Sequence, residues 1–317
     1  MVIPISSPYA IRHYIPEKDL HFLSHLLTEI ESIDQDGEDT SEEYLRASLQ
    51  WPNYRPDQDV WVAEADGKLV GYALALEQPS QRCTIYVVVH PSQRRSGLGS
   101  QLLDLVLNRA RELGSKTILV YANERNRASN SFLKHSGFAS VGSSGTMKLA
   151  NPSNSPSSEL PAGFTIKQYS FIDEPLVLLN ALNDCYLDMW GHQHHDQFTE
   201  EELRSPRFLK YYNAEDILLL MDPEGGVAGL CSVKSEGKRD ENGNVVDLLD
   251  APGVIKKYRQ EGYQRQLVLA GIDHLRKKGM LPIILEFWGE SEQVLDLYRS
   301  LGFEMRNHYM TYHKELE

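Results

Sequence analysis

Apolar residues first recur at helical spacing, with Leu20, Leu23, Leu26, Leu27 and Ile30 on one stripe. The pattern then changes to alternation. VWVAEADGKLVGYALAL, Val60 to Leu76, reads as two strands turning at Asp66-Gly67, and Thr84 to Val89 reads as another strand. A glycine-bearing turn follows, then a helix from about Gly99 to Leu113, a strand from Thr117 to Ala122, a helix from about Asn126 to Ser136 and a closing pair of short strands. Thr40 with Glu43 reads as a capping box ahead of a second early helix.

The same order is written twice. Ala150 to Gly163, rich in Pro, Ser and Asn and without periodicity, has the composition of a linker. On either side of it, Arg94 and Arg259, Gly97 and Gly262, Leu102 and Leu267, Gly114 and Gly279, and Gly137-Phe138 and Gly302-Phe303 keep one register (259 − 94 = 165). Upstream, Gly71 matches Gly229 (229 − 71 = 158), the difference falling in the longer loop KSEGKRDENG, and Thr199 with Glu202 repeats the capping box. The expected organisation is therefore an α/β chain of two mixed α+β units, 1–150 and 163–317, joined by a linker at 151–162.

Charge narrows the partners. The net charge of -13 argues against a general nucleic-acid binder and favours a small neutral or cationic ligand. Cys83, Cys185 and Cys231 are few, odd in number and far apart, which suits buried thiols in a reducing compartment. No apolar run reaches the ~20 residues of a membrane span and no secretion signal is visible, so the expectation is a cytoplasmic protein with no membrane partner.

HPSQRRSGLGSQLL, His90 to Leu103, sets two arginines and two glycines between a strand and a helix. A helix start offers unpaired N–H groups and partial positive charge, and glycine lets a phosphate approach them. The dinucleotide pattern is not met, because Leu102 stands at its third glycine, and no Walker lysine follows.

The turn resembles the acetyl-CoA motif of GNAT-type N-acetyltransferases, R/Q-x-x-G-x-G/A, here Arg94, Gly97 and Gly99. NERNRASNSFLKHSGF, Asn123 to Phe138, resembles the second signature of that family, and SEQVLDLYRSLGF, Ser291 to Phe303, matches its end more closely. The resemblance covers both halves and implies a tandem GNAT protein that transfers an acetyl group from acetyl-CoA to a primary amine of a small molecule or peptide. It also implies a cofactor seat built from Arg94, Arg95, Ser96, Gly97, Leu98, Gly99 and Ser100, with Asn126 nearby. The arginines would add charge beside the pyrophosphate, and Val87 and Val89 would lend backbone groups to the pantetheine arm and the acetyl carbonyl.

The copies depart from the family in opposite places. The first keeps the turn, but Leu133 stands where the family has a tyrosine thought to protonate the thiolate. The second keeps that tyrosine as Tyr298, but places Gln264 where a small residue belongs and Glu261 beside the seat. Three accounts stand open: catalysis in the first half with another acid such as Tyr121, catalysis in the second with Tyr298, or a non-catalytic acyl-CoA sensor. Candidate bases are Glu124 and Glu77 in the first copy and Asp247, Asp250 and Glu286 in the second. The acceptor side reads EIESIDQDGEDTSEE, Glu29 to Glu43, with eight acidic residues and no basic one, a charge pattern that either attracts an amine or belongs to a solvated loop. Its counterpart holds His192, His194 and His195, a polar loop with no other sign of a metal site, and none is expected.

Overall fold

The computed structural model describes residues 8–36, 39–49, 55–78, 81–152, 158–172, 174–186, 198–204, 212–239 and 245–316. The chain divides into two compact units, Met1–Val141 with Met310–Glu317, and Gly142–Tyr309. Residues 153–157 of the expected linker, Gly37 and Glu38 of the acidic stretch, and His192, His194 and His195 lie outside the described residues.

In the first unit β1 (Ala10–His13), α1 (Pro16–Asp34), α2 (Glu42–Ser48) and α3 (Pro56–Asp59) precede a meander of β2 (Val60–Ala65), β3 (Lys68–Gln78) and β4 (Arg82–Val89). Then come α4 (Leu98–Glu112), β5 (Thr117–Asn123) and α5 (Arg127–His135). Strands β1 to β4 pair antiparallel in sequence order, and β4 pairs with β5 in parallel. The helical stripe read from the sequence covers one sheet face, Leu23, Leu26, Leu27 and Ile30 clustering with Val60, Val62 and Tyr72. Leu98, Leu102 and Val106 of α4 cover the other with Ala73, Ile85 and Ile118. Each such aliphatic side chain contributes roughly 1.5–3 kcal/mol when fully buried.

The second unit begins within β6 (Ala139–Leu149) and continues through β7 (Thr165–Gln168), α6 (Pro175–Tyr186), α7 (Glu200–Leu203), β8 (Tyr212–Met221), β9 (Val227–Arg239), β10 (Val245–Asp250) and β11 (Gly253–Val254). It closes with α8 (Tyr263–Lys277), β12 (Ile284–Trp288), α9 (Glu292–Ser300) and the first part of β13 (Phe303–Glu315). Its strand order is β13-β6-β12-β10-β9-β8-β7, with β11 paired to β9. The repeat is present in the backbone: α4 and α8 each span 15 residues and begin 165 apart (263 − 98 = 165). Helices α5 and α9 keep the same spacing (292 − 127 = 165).

The structure differs from the sequence expectation in three places. The closing pairs of short strands are single strands of 11 and 13 residues. Gly145 lies inside β6, where a Cβ would come within 2.1 Å of the Asn307 carbonyl oxygen, so only glycine fits. The division falls at Val141/Gly142 rather than at 150. Ile284 to Trp288 of β12 pair with Lys148 to Ser144, whereas the chain's last residues return to the first unit, Leu316 N–H donating to Lys116 O at 2.7 Å. Finally, the cap of α2 is Ser41, whose Oγ accepts the Tyr44 N–H, while Thr40 Oγ1 lies 2.8 Å from Thr28 Oγ1.

Among the described residues no helix is long and apolar enough to cross a membrane. All three cysteines are free and buried.

Candidate functional site

Strand β4 pairs with β3 along its length, but with β5 only at Arg82, Cys83 and Thr84. Beyond Thr84 the two parallel strands part. In an antiparallel ladder successive residues address opposite neighbours. His90 N–H donates to Val70 O at 2.9 Å, so the even-numbered residues of β4 address β3. The N–H and C=O groups of Ile85, Val87 and Val89 therefore face the opening. Val89 O takes up Arg94 Nε there at 3.0 Å.

The strand leads into the glycine turn. Arg95 has φ +64° and Gly97 φ +87°, and Gly97 forms the N-cap of α4 without any side-chain cap. The first helical bond runs from Gln101 N–H to Gly97 O at 3.1 Å. The N–H groups of Leu98, Gly99 and Ser100 accordingly point out of the helix start, where the macrodipole is positive. Tyr9 Oη braces the loop, 3.0 Å from Gln93 Oε1 and 2.8 Å from Ser96 Oγ. A Cβ at Gly99 would meet Phe132 at 3.7 Å and Val89 at 3.8 Å, so this position faces the space between α5 and β4. Helix N–H groups, a left-handed glycine and an open strand edge in sequence form a seat of the kind that can hold an anion with an extended arm beside the strand.

The Arg94 side chain is not aimed at that seat. Besides Val89 O it holds Asp34 bidentately, with Nη1 3.0 Å from Oδ1. Asn126 caps α5 by accepting Ser129 N–H at 3.1 Å, and its Nδ2 donates to Asp36 Oδ2 at 3.0 Å. Both side chains fasten the end of α1. Exposed Arg95 remains at the turn.

Tyr121 lies two residues beyond the last β4–β5 pair. Ile118, Val120 and Ala122 pack on the α4 side, so Tyr121 faces the α1 side, as does Asn123, whose Nδ2 donates to Asp36 O at 3.2 Å. Burial raises its phenol above the ordinary range, with Arg82 opposing. Glu124 is exposed at the end of the same strand. Leu133 is buried in the core. Glu77 is not brought to the opening: it pairs with Cys83, at the closed end of the β4–β5 ladder.

In the second unit Arg259 repeats the strut, donating from Nε to Val254 O at 2.9 Å and from Nη2 to Cys185 O at 3.3 Å. Gly262 has φ +79°. Here the groove is filled. Gln264 Nε2 lies 3.4 Å from Pro252 O and 3.2 Å from Tyr298 Oη. Tyr298 is fully buried, its phenol driven well above the ordinary range by burial and by Glu290, against the Gln264 bond. Asp250 accepts from Ser232 Oγ at 2.8 Å and is pushed up to about 6 by burial and Glu286. Glu286, the counterpart of Tyr121 (286 − 121 = 165), is paired with Lys234 at 3.1 Å, and Asp247 is buried opposite Ser235. Glu290, missed in the sequence because GES after a strand reads as a loop, is buried with its carboxyl pushed up to about 7.

Residues 22–138 match the family described as Acetyltransferase (GNAT) family. The chain is similar to the mycothiol acetyltransferase of Paenarthrobacter aurescens, 25% identical over 256 residues that cover 80% of this chain and 77% of the relative. Its fold is that of a GCN5-related N-acetyltransferase from Sphaerobacter thermophilus, at TM-score 0.74 and 19% identity over 98% of this chain and 96% of the other. A tandem GNAT protein from the clavulanic acid biosynthesis pathway superposes at TM-score 0.63 and 16% identity, covering 97% and 98%.

Proposed function

We propose, from the premise that the chain belongs to the GNAT acetyltransferase family and carries its fold twice, that it acetylates a primary amine of a small molecule with acetyl-CoA seated in the first unit. The observation that carries this reading is the β4 edge. From Ile85 to Val89 its alternate backbone groups face an opening that ends at the free helix start of α4.

Bound there, acetyl-CoA supplies a thioester carbonyl to the attacking amine and a thiolate as leaving group. The N–H groups of Leu98, Gly99 and Ser100 hold the pyrophosphate charge, and Arg95 adds to it. The backbone of Val87 and Val89 orients the arm, and an N–H from that edge stabilises the carbonyl oxygen as it gains charge. Glu124, directly or through water, accepts the proton that the amine loses as the C–N bond forms. Tyr121 stays protonated because burial raises its phenol, and it delivers a proton to sulfur as the C–S bond breaks. The acceptor enters from the α1 side, past the acidic stretch.

The alternative, chemistry in the second unit with Tyr298 as acid, meets a hydroxyl that is fully buried and bound to Gln264. The deciding assay is release of CoA thiol from acetyl-CoA over a panel of primary amines. Tyr121→Phe is expected to lower kcat by about 10²-fold or more, and Tyr298→Phe to leave it within twofold. The reverse result moves the chemistry to the second unit. Acetyl-CoA binding without thiol release from any amine makes the protein a sensor.

A further inference from the structure

The second unit keeps the scaffold of a cofactor seat. Helices α4 and α8 both start after a glycine in the left-handed region, Gly97 at φ +87° and Gly262 at φ +79°. Both seat arginines donate to the strand carbonyl five residues before them, Arg94 to Val89 and Arg259 to Val254. One change falls at the second helical residue. Gly99 leaves the space before Phe132 and Val89 open, whereas its counterpart Gln264 (264 − 99 = 165) extends a carboxamide into the equivalent space.

Its two partners mark the walls of that space. Pro252 O lies in the two-residue break between β10 and β11, and Tyr298 Oη belongs to α9. Pro252 lies 165 beyond Val87, where the pairing with β9 changes register between Leu249 opposite Val233 and Gly253 opposite Leu230. Proline has no N–H, so this edge offers only an acceptor. A carboxamide N–H donating to this backbone carbonyl is the kind of bond a pantetheine amide can make with a chain that has parted from its neighbour. Glu261, exposed beside the helix start, adds a charge that repels a phosphate.

We propose that Gln264 is a tethered stand-in for the pantetheine arm: the second unit holds a latent acyl-CoA groove, occupied by this side chain and made unwelcoming to phosphate by Glu261. This rests on the reading that the first unit binds acetyl-CoA, but its test does not depend on that site. Calorimetric titration of acetyl-CoA compares the wild type with Gln264→Gly, Gln264→Ala and Gln264→Gly/Glu261→Ser, each checked for an unchanged circular dichroism spectrum.

The expected result is one additional acetyl-CoA per chain in the double variant, with the single variants binding the extra molecule at least tenfold more weakly. The increment is read against the wild type whatever the latter binds. If the wild type binds none and the double variant one, the first-unit reading fails and the latent groove stands. An unchanged stoichiometry in a folded double variant overturns the proposal.

Discussion

Ahead of α4, Tyr9 reaches the loop through its hydroxyl, beside Gln93 and Ser96. The corresponding loop ahead of α8 is aromatic. Phe164 stacks on Tyr263 with ring centroids 4.6 Å apart and meets Tyr258 edge-on at 5.5 Å. Tyr258 stands at the position of Gln93 (258 − 93 = 165) and Tyr263 at that of Leu98 (263 − 98 = 165). The helices and left-handed glycines are the same, but one copy surrounds its turn with hydroxyls and amides while the other packs rings against it. A backbone seat thus persists when its ligand chemistry has been exchanged for core packing, because helix, glycine and strand are held by contacts on the far side of the turn.

The largest effect expected from this contrast lies in the second unit. Burial holds Glu290 near 7, while a carboxyl of its kind in an unfolded chain titrates near ~4.3. Between those values the unfolded chain has released its proton and the folded one has not, so this group's contribution lowers stability as pH rises through that window. Glu290→Gln is expected to stabilise the second unit by on the order of 3 kcal/mol at pH 8 and by little at pH 4. Thermal melts at the two pH values check it; an equal shift at both contradicts it.

A smaller effect separates the two arginine struts. Arg94→Ala removes a partly buried bidentate bond to Asp34 and is expected to cost about 2 kcal/mol in stability. It should also raise the acceptor KM several-fold while changing acetyl-CoA affinity by less than about threefold, because the guanidinium faces Asp34. Arg259→Ala should lower stability similarly and leave the acceptor KM unchanged. An acetyl-CoA affinity that collapses in Arg94→Ala would return this side chain to the phosphate. Smallest is Tyr9→Phe, which removes the hydroxyl beside Gln93 and Ser96 for about 1 kcal/mol, weakening acetyl-CoA binding roughly fivefold. Equal affinity in wild type and variant would mean the loop needs no brace.

The repeat was legible because it lies in residues that set backbone: Gly97 and Gly262, Gly114 and Gly279, Gly137 and Gly302 all adopt positive φ at one spacing. The opening of β4 was legible only through the family resemblance, since IYVVV has the same pattern whether or not a neighbour pairs with it. The closing strands were not legible. The pattern reads as a pair of short strands rather than the single strand Ala139–Leu149 and does not show which unit bonds it, and Tyr312, whose hydroxyl donates to Asn130 at 2.7 Å in the first unit, lies 182 residues away along the chain. Arg94 reads as a charge for the anion because sequence cannot reveal that Asp34, 60 residues earlier, takes it up. Gln264 read as a defect in a motif, and its two bonds make it an occupant.

The central claim is that one working seat lies in the first unit and that an open Gly99 is what distinguishes it. Gly99→Gln transfers the second unit's side chain to a position where a Cβ meets only ordinary contacts. Calorimetric titration of acetyl-CoA into wild type and this variant is the most direct test. The account predicts one site in the wild type and none in Gly99→Gln; undiminished binding in a folded Gly99→Gln protein would contradict it.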